Sequence, residues 1–90
     1  MYLRINEQEM LILIPYTPPS FLEKCLILSK RIDGKKTWKS LDGKKLYQWD
    51  SQHGDVEVYS AKNGVHLGCA DKLTGRTTKP AVKGRRLSDV

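Results

Sequence analysis

The sequence predicts an α+β fold: an N-terminal strand and helix, then a twisted antiparallel β-sheet (a meander), in a single small domain. Three observations predict it. The chain divides near residue 30 into an apolar first third and a strand-rich remainder. Turn signals punctuate that remainder at short intervals, with none of the strand–helix–strand alternation that builds a parallel sheet. Ninety residues suffice for one core and are too few for two.

The N-terminal part, residues 1–34, opens with the apolar run Met10–Ile14, which reads as a buried strand closed by Pro15. The Pro18-Pro19 pair breaks the chain. Ser20-Phe21-Leu22-Glu23 then fits a capping box, in which the serine side chain satisfies one orphan amide and the glutamate another. Phe21, Leu22, Cys25 and Leu26 follow at helical spacing, so a helix is expected from about Ser20 to Lys30, ended before Asp33-Gly34. Residues 35–90 read as the sheet core. Asp42-Gly43 separates strand Thr37–Leu41 from Lys44–Asp50. Ser51–Gly54 separates that strand from Asp55–Ala61, and Asn63-Gly64 separates the next, Val65–Ala70. Gly75 precedes a last extended segment, Arg76–Val82. The tail Lys83–Val90 is polar.

Strand side chains alternate between faces, and paired residues share one. A four-residue loop at Ser51–Gly54 pairs Asp50 with Asp55, Trp49 with Val56 and Gln48 with Glu57. Tyr47, Trp49, Val56 and Val58 then form the apolar face. A two-residue loop at Asn63-Gly64 pairs Ala61 with His66 and Tyr59 with Gly68, which adds Leu67 and Cys69 to the apolar face. The polar face collects Asp50, Asp55, Glu57, Tyr59 and His66, with His53 at its rim. A slip of one residue would dissolve this set.

Charge narrows the function. Sixteen Lys and Arg against ten Asp and Glu give +6, which favours an anionic partner. Most of the excess lies in two blocks. One holds Lys30, Arg31, Lys35, Lys36, Lys39, Lys44 and Lys45; the other runs from Lys72 to Arg85 and Arg86, with Asp89 its only acid. No apolar run reaches the roughly 18 residues of a membrane span, and no secretory leader is legible. Cys25 and Cys69 form neither a disulfide framework nor a metal cluster, which fits a reducing, cytoplasmic site of action. Phosphate-binding glycine loops, Cys-x-x-Cys and His-Glu-x-x-His are absent from the sequence. No cofactor and no metal are expected.

An acidic patch ringed by cations is unlike a plain nucleic-acid binder, whose contact face is uniformly positive. It suits an enzyme that holds a phosphate backbone and moves protons between its ends. In ribonuclease transesterification a base takes the ribose 2′-OH proton, the oxygen attacks phosphorus, and an acid protonates the 5′ leaving oxygen. A carboxylate and an imidazole make a natural pair for this, and Arg or Lys meets the charge that grows on the phosphoryl oxygens. Trp38 can either stack on an unpaired base or fill the core.

The run Tyr47-Gln48-Trp49-Asp50-Ser51-Gln52-His53-Gly54-Asp55-Val56-Glu57 closely resembles the cytotoxic ribonuclease domain of the ribosome-inactivating E-type colicins and cloacin. The likeness continues at Tyr59, at Gly64-x-His66-Leu67-Gly68 and at Thr74-Gly75. Lys36 and Trp38 fall in register upstream and Arg85 downstream, so it covers Lys35–Leu87. It implies a short helical N-terminal part before a twisted antiparallel sheet, and one cut in small-subunit (16S) ribosomal RNA at the decoding A site. It implies catalytic roles for Asp50, His53, Glu57 and Arg85, with Lys36 supporting. Glu57 is then the base and His53 the acid, with Asp50 orienting or charging the imidazole, although the residues alone leave the two roles exchangeable. Asp55 replaces a family glutamate, and Tyr16 in Tyr16-Thr17-Pro18 stands for a family tyrosine. Arg86 is a substitute for Arg85.

The resemblance also implies an acidic immunity or antitoxin protein, steered to the basic domain by charge. The Met1 start and apolar N-terminus favour a free-standing toxin, as in a toxin–antitoxin pair, over the excised domain of a larger secreted one. Two other readings stay open: a non-catalytic RNA- or ribosome-binding module, and a toxin ribonuclease acting on tRNA.

Overall fold

Among residues 12–90, which the computed structural model describes, short strands pair in sequence order into one six-stranded antiparallel sheet. They are β1 (Leu26–Ile27), β2 (Trp38–Lys39), β3 (Lys45–Asp50), β4 (Asp55–Ser60), β5 (His66–Ala70) and β6 (Thr77–Pro80). The meander is the expected one. The helix is not: only a four-residue 3₁₀ turn, Phe21–Lys24, forms. The capping box is present, with Leu22 N–H donating to Ser20 Oγ at 3.1 Å and Ser20 N–H to Glu23 Oε2 at 2.9 Å. Cys25 is then extended, and Leu26 and Ile27 pair with Lys39 and Trp38. Cys25–Leu28 is an unbroken apolar run that satisfies either period. A short helix has little stability without packing, whereas strand β2 offers a ladder. The α+β description therefore gives way, among the described residues, to a sheet with one helical turn.

Of the expected strand Met10–Ile14, Met10 and Leu11 lie outside the described residues. Ile12, Leu13 and Ile14 are exposed and unpaired with any strand. Ile14 instead straps the β3–β4 loop: its N–H donates to Ser51 O at 2.7 Å, and Trp49 Nε1–H donates to Ile14 O at 2.7 Å.

The β3–β4 register is the expected one, including Asp50↔Asp55 and Gln48↔Glu57. The β4–β5 hairpin differs twice. Gly64 N–H donates to Ser60 O, and Ser60 N–H to Val65 O, so four residues rather than two make the loop. Tyr59 then faces His66, a shift of two that keeps His66 on the expected face. Next comes a β-bulge: Val58 faces Gly68 and Glu57 faces Cys69, which leaves Leu67 unpaired and 43% exposed. A bulge inverts the alternation beyond it. Cys69 therefore lies beside Glu57 and not on the apolar face, and Leu67 leaves that face too.

Each sheet face has its own core. Leu22, Trp38, Val56, Val58 and Ala70 form one, with Tyr16, Phe21, Tyr47 and Trp49 packed around it. Ile32, Leu46, Tyr59 and Leu87 form the other, on the same face as Glu57. Fully burying a side chain such as Leu22 or Val56 is worth about 1.5–3 kcal/mol. Leu87 ties down the C-terminal tail: Leu87 N–H donates to Gly64 O and His66 N–H to Arg85 O, both at 2.9 Å. That docking carries Arg85 to the sheet.

Candidate active site

The loop Ser51–Gly54 is closed by Gly54 N–H donating to Asp50 O at 2.8 Å, with Gly54 at a positive φ of 70°. Asp50 Oδ1 accepts from the amides of Gln52 and His53, which folds the loop back over the carboxylate. The His53 ring is thereby set against Asp50, with Nδ1 2.7 Å from Oδ2. The imidazole is 57% exposed and its carboxylate partner 16%. With Nδ1 engaged, Nε2 is left for a substrate. Burial pushes the Asp50 carboxyl up, but hydrogen bonds from the His53 side chain and the Gln52 and His53 amides outweigh it, and the net shift is downward. Asp50 therefore stays ionised beside the imidazole.

Glu57 is held differently. Its carboxylate is buried, shares a face with the half-buried Asp50 and Asp55, and one oxygen from each of the three lies within 4.8 Å of the others. Oε1 takes two contacts, His66 Nε2 at 2.7 Å and the Cys69 thiol at 3.4 Å. Oε2 faces Arg85 Nη2 at 3.5 Å. Val82 N–H donates to His66 Nδ1 at 2.9 Å. That nitrogen must be an acceptor, so the ring hydrogen sits on Nε2 and points at Glu57. Burial, then the hydrogen bond to Glu57, push the Cys69 thiol up to about 11. Cys69 is thus a donor to the carboxylate, not a nucleophile. Burial also pushes the Tyr59 phenol up, with Arg85 opposing it.

Asp50, His53 and Glu57 line one open cavity of about 580 Å³, joined by His66, Cys69, Lys35, Lys79 and Arg85. Lys79 Nζ approaches Asp55 Oδ2 at 3.7 Å. Two donor sets have metal-ligand spacing: Glu57, His66 and Cys69, and Asp50, Asp55 and Glu57. In the first set His66 Nε2 turns its hydrogen towards Glu57; in the second the carboxylates face His53, Lys79 and Arg85, and Asp55 Oδ1 is buried with no hydrogen-bond partner among the described residues.

The other residues singled out from sequence fall in three places. Tyr16, Lys36 and Trp38 line a second cavity of about 430 Å³, with Lys36 Nζ 5.0 Å from the Trp38 ring centre. Trp38 is only 3% exposed and belongs to the core as well. Tyr59 is buried on the same face as Glu57, its ring 5.2 Å from that of His66. Arg86 turns away and donates to Asn63 O at 2.8 Å. Cys69 and the Val82 amide escaped sequence reasoning, because the bulge that brings Cys69 in has no period-two signature and a main-chain donor has no signature at all.

A model of the family described as Cytotoxic matches residues 28–88. The chain is 49% identical to Colicin E3 of Escherichia coli over 45 residues, which is 50% of this chain and 8% of that protein. It is 47% identical to Colicin-E6 and to Cloacin, both of Escherichia coli, over 47 residues, 51% of this chain and 8% of each. The chain thus matches a small part of the length of these curated relatives.

Proposed function

The chain belongs to the Cytotoxic family, and from that premise we propose that it is a toxin endoribonuclease that cleaves small-subunit ribosomal RNA at the decoding A site and halts translation. One observation carries the reading: an ionised Asp50 holding His53, and a buried Glu57 ringed by donors, open into the same cavity. Glu57 Oε2, the oxygen not engaged by His66 and Cys69, takes the ribose 2′-OH proton. The 2′-oxygen attacks phosphorus and the P–O5′ bond breaks, leaving a 2′,3′-cyclic phosphate. His53, protonated and facing outward at Nε2, gives its proton to the departing 5′-oxygen. Asp50 stabilises the imidazolium. Arg85 and Lys79 sit where charge grows on the phosphoryl oxygens, a contribution that works best from fixed positions away from bulk water. This route needs no metal. The charge of +6 supports an RNA target and an acidic immunity protein as partner.

Incubation with intact ribosomes in EDTA, followed by primer extension, tests the reading. One discrete cut in small-subunit RNA is expected, lost in Glu57→Gln. Salt-sensitive ribosome binding with no cut, unaffected by Glu57→Gln, would overturn it, and cleavage of tRNA instead would overturn the substrate.

A further inference from the structure

The second cavity has a composition unlike the first. Three cations, Arg31, Lys35 and Lys36, and three aromatic rings, Tyr16, Trp38 and Trp49, surround it, with Ser51 completing the lining. No carboxylate is among them. Among the described residues none of the three cations forms a salt bridge, whereas Arg85 and Lys79 in the first cavity both do. All three cations are exposed, and Tyr16 and Trp49 are partly so. The rings are fixed to one another: Tyr16 lies 5.2 Å from Trp38 and 5.6 Å from Trp49, both tilted or edge-on. Trp49 is further pinned by its bond to Ile14 O. The cavity's volume, about 430 Å³, lies in the range of small-ligand sites. Cations that form no salt bridge among the described residues, set around rigid rings, suit a ligand that is both anionic and flat.

Lys35 and Ser51 line both cavities, so the two adjoin at the loop that carries His53. We propose that the second cavity is a subsite for one unpaired nucleotide of the RNA strand, next to the scissile linkage. Its base lies against Tyr16 and Trp49, and its phosphate meets Arg31 and Lys36. Base–aromatic contact tolerates any base, so the subsite adds affinity and an anchor, not sequence choice. It also requires the target nucleotides to be splayed out of a helix, since a stacked base cannot enter an aromatic-walled cavity. The inference deepens the ribonuclease reading and rests on it for the word scissile, but not for the binding itself.

The protein's two tryptophans both line this cavity, so their indole N–H resonances report on it. The probes are adenosine 5′-monophosphate, inorganic phosphate, adenosine, and a 2′-O-methyl trinucleotide that cannot be cleaved. Adenosine monophosphate is expected to shift both indole signals and to bind at least tenfold more tightly than adenosine or phosphate. The trinucleotide is expected to bind at least tenfold more tightly again. In the double variant Arg31→Ala/Lys36→Ala, which alters exposed side chains only, both affinities fall at least tenfold. Glu57→Gln leaves the monophosphate affinity within twofold. Equal affinity for phosphate and adenosine monophosphate would overturn the proposal, as would equal binding of all probes by the double variant. A trinucleotide no tighter than the monophosphate would show a free-nucleotide site and overturn the RNA subsite. Failure of the ribosome assay with these results intact would remove the ribonuclease reading and leave the nucleotide site standing.

Discussion

Replacing Gly68 with alanine tests how the site is assembled. Gly68 follows the unpaired Leu67 in the β5 bulge and adopts a φ of +130°. A Cβ there would stand 2.5 Å from the Lys79 carbonyl oxygen, with Pro80 and Ala81 backbone atoms close behind. Backbone strain at such a φ costs a residue with a side chain about 1–3 kcal/mol, and displacing packed backbone costs about 1–3 kcal/mol more. The sum, about 2–6 kcal/mol, is a large part of the 5–15 kcal/mol by which a domain is typically stable. At about 4–8 °C per kcal/mol for a domain of this size, the melting midpoint falls by at least about 8 °C. Urea denaturation followed by tryptophan fluorescence measures the loss. Relief of the clash by flattening the bulge would turn Cys69 away from Glu57, so RNA cleavage by the remaining folded protein also falls at least about tenfold. A variant within about 0.5 kcal/mol of the parent with cleavage intact would refute the reasoning.

Glu57→Gln and His53→Ala each lower kcat by about 10²–10⁴-fold while the urea midpoint of Glu57→Gln stays near the parent's, because the amide oxygen still accepts from His66; single-turnover cleavage measures both. Asp50 is held below the ordinary carboxylate range, so its contribution to stability is present above pH 3.8 and is lost as pH falls through the folded value. Urea midpoints should therefore drop more steeply on acidification in the parent than in Asp50→Asn. For Cys69 the sign reverses: its thiol is raised from 9.0 to about 11, so its contribution is complete below pH 9 and disappears as pH rises towards 11. Cys69→Ser should flatten that alkaline decline, and a thiol reagent at pH 8 should label Cys69 only after unfolding.

The hairpin carrying Asp50, His53 and Glu57 was legible because its loop and strands obey simple rules. Asp50 and Asp55 bracket four residues, and period-two alternation holds on both sides. His66 came to the right face by an even error: its loop is two residues longer than expected, and two residues restore the alternation. Cys69 did not, because the bulge shifts the register by one. The helix failed for a different reason. Phe21, Leu22, Cys25 and Leu26 supply half of an amphipathic stripe, yet the decisive contact is a ladder with Trp38 and Lys39, remote in sequence. The capping box, a local device, was legible even though only a 3₁₀ turn follows it. Arg85 reaches Glu57 because Leu87 docks beside Gly64, a contact no local pattern records.

Val82 serves Glu57 at one remove, through its main chain alone. That bond depends on the spacing from Thr77 to Val82 and not on which side chain Val82 carries. Adding or deleting one residue there would withdraw the amide, let the imidazole turn over, and deprive the carboxylate of its steadiest neighbour without altering any letter in the cavity wall.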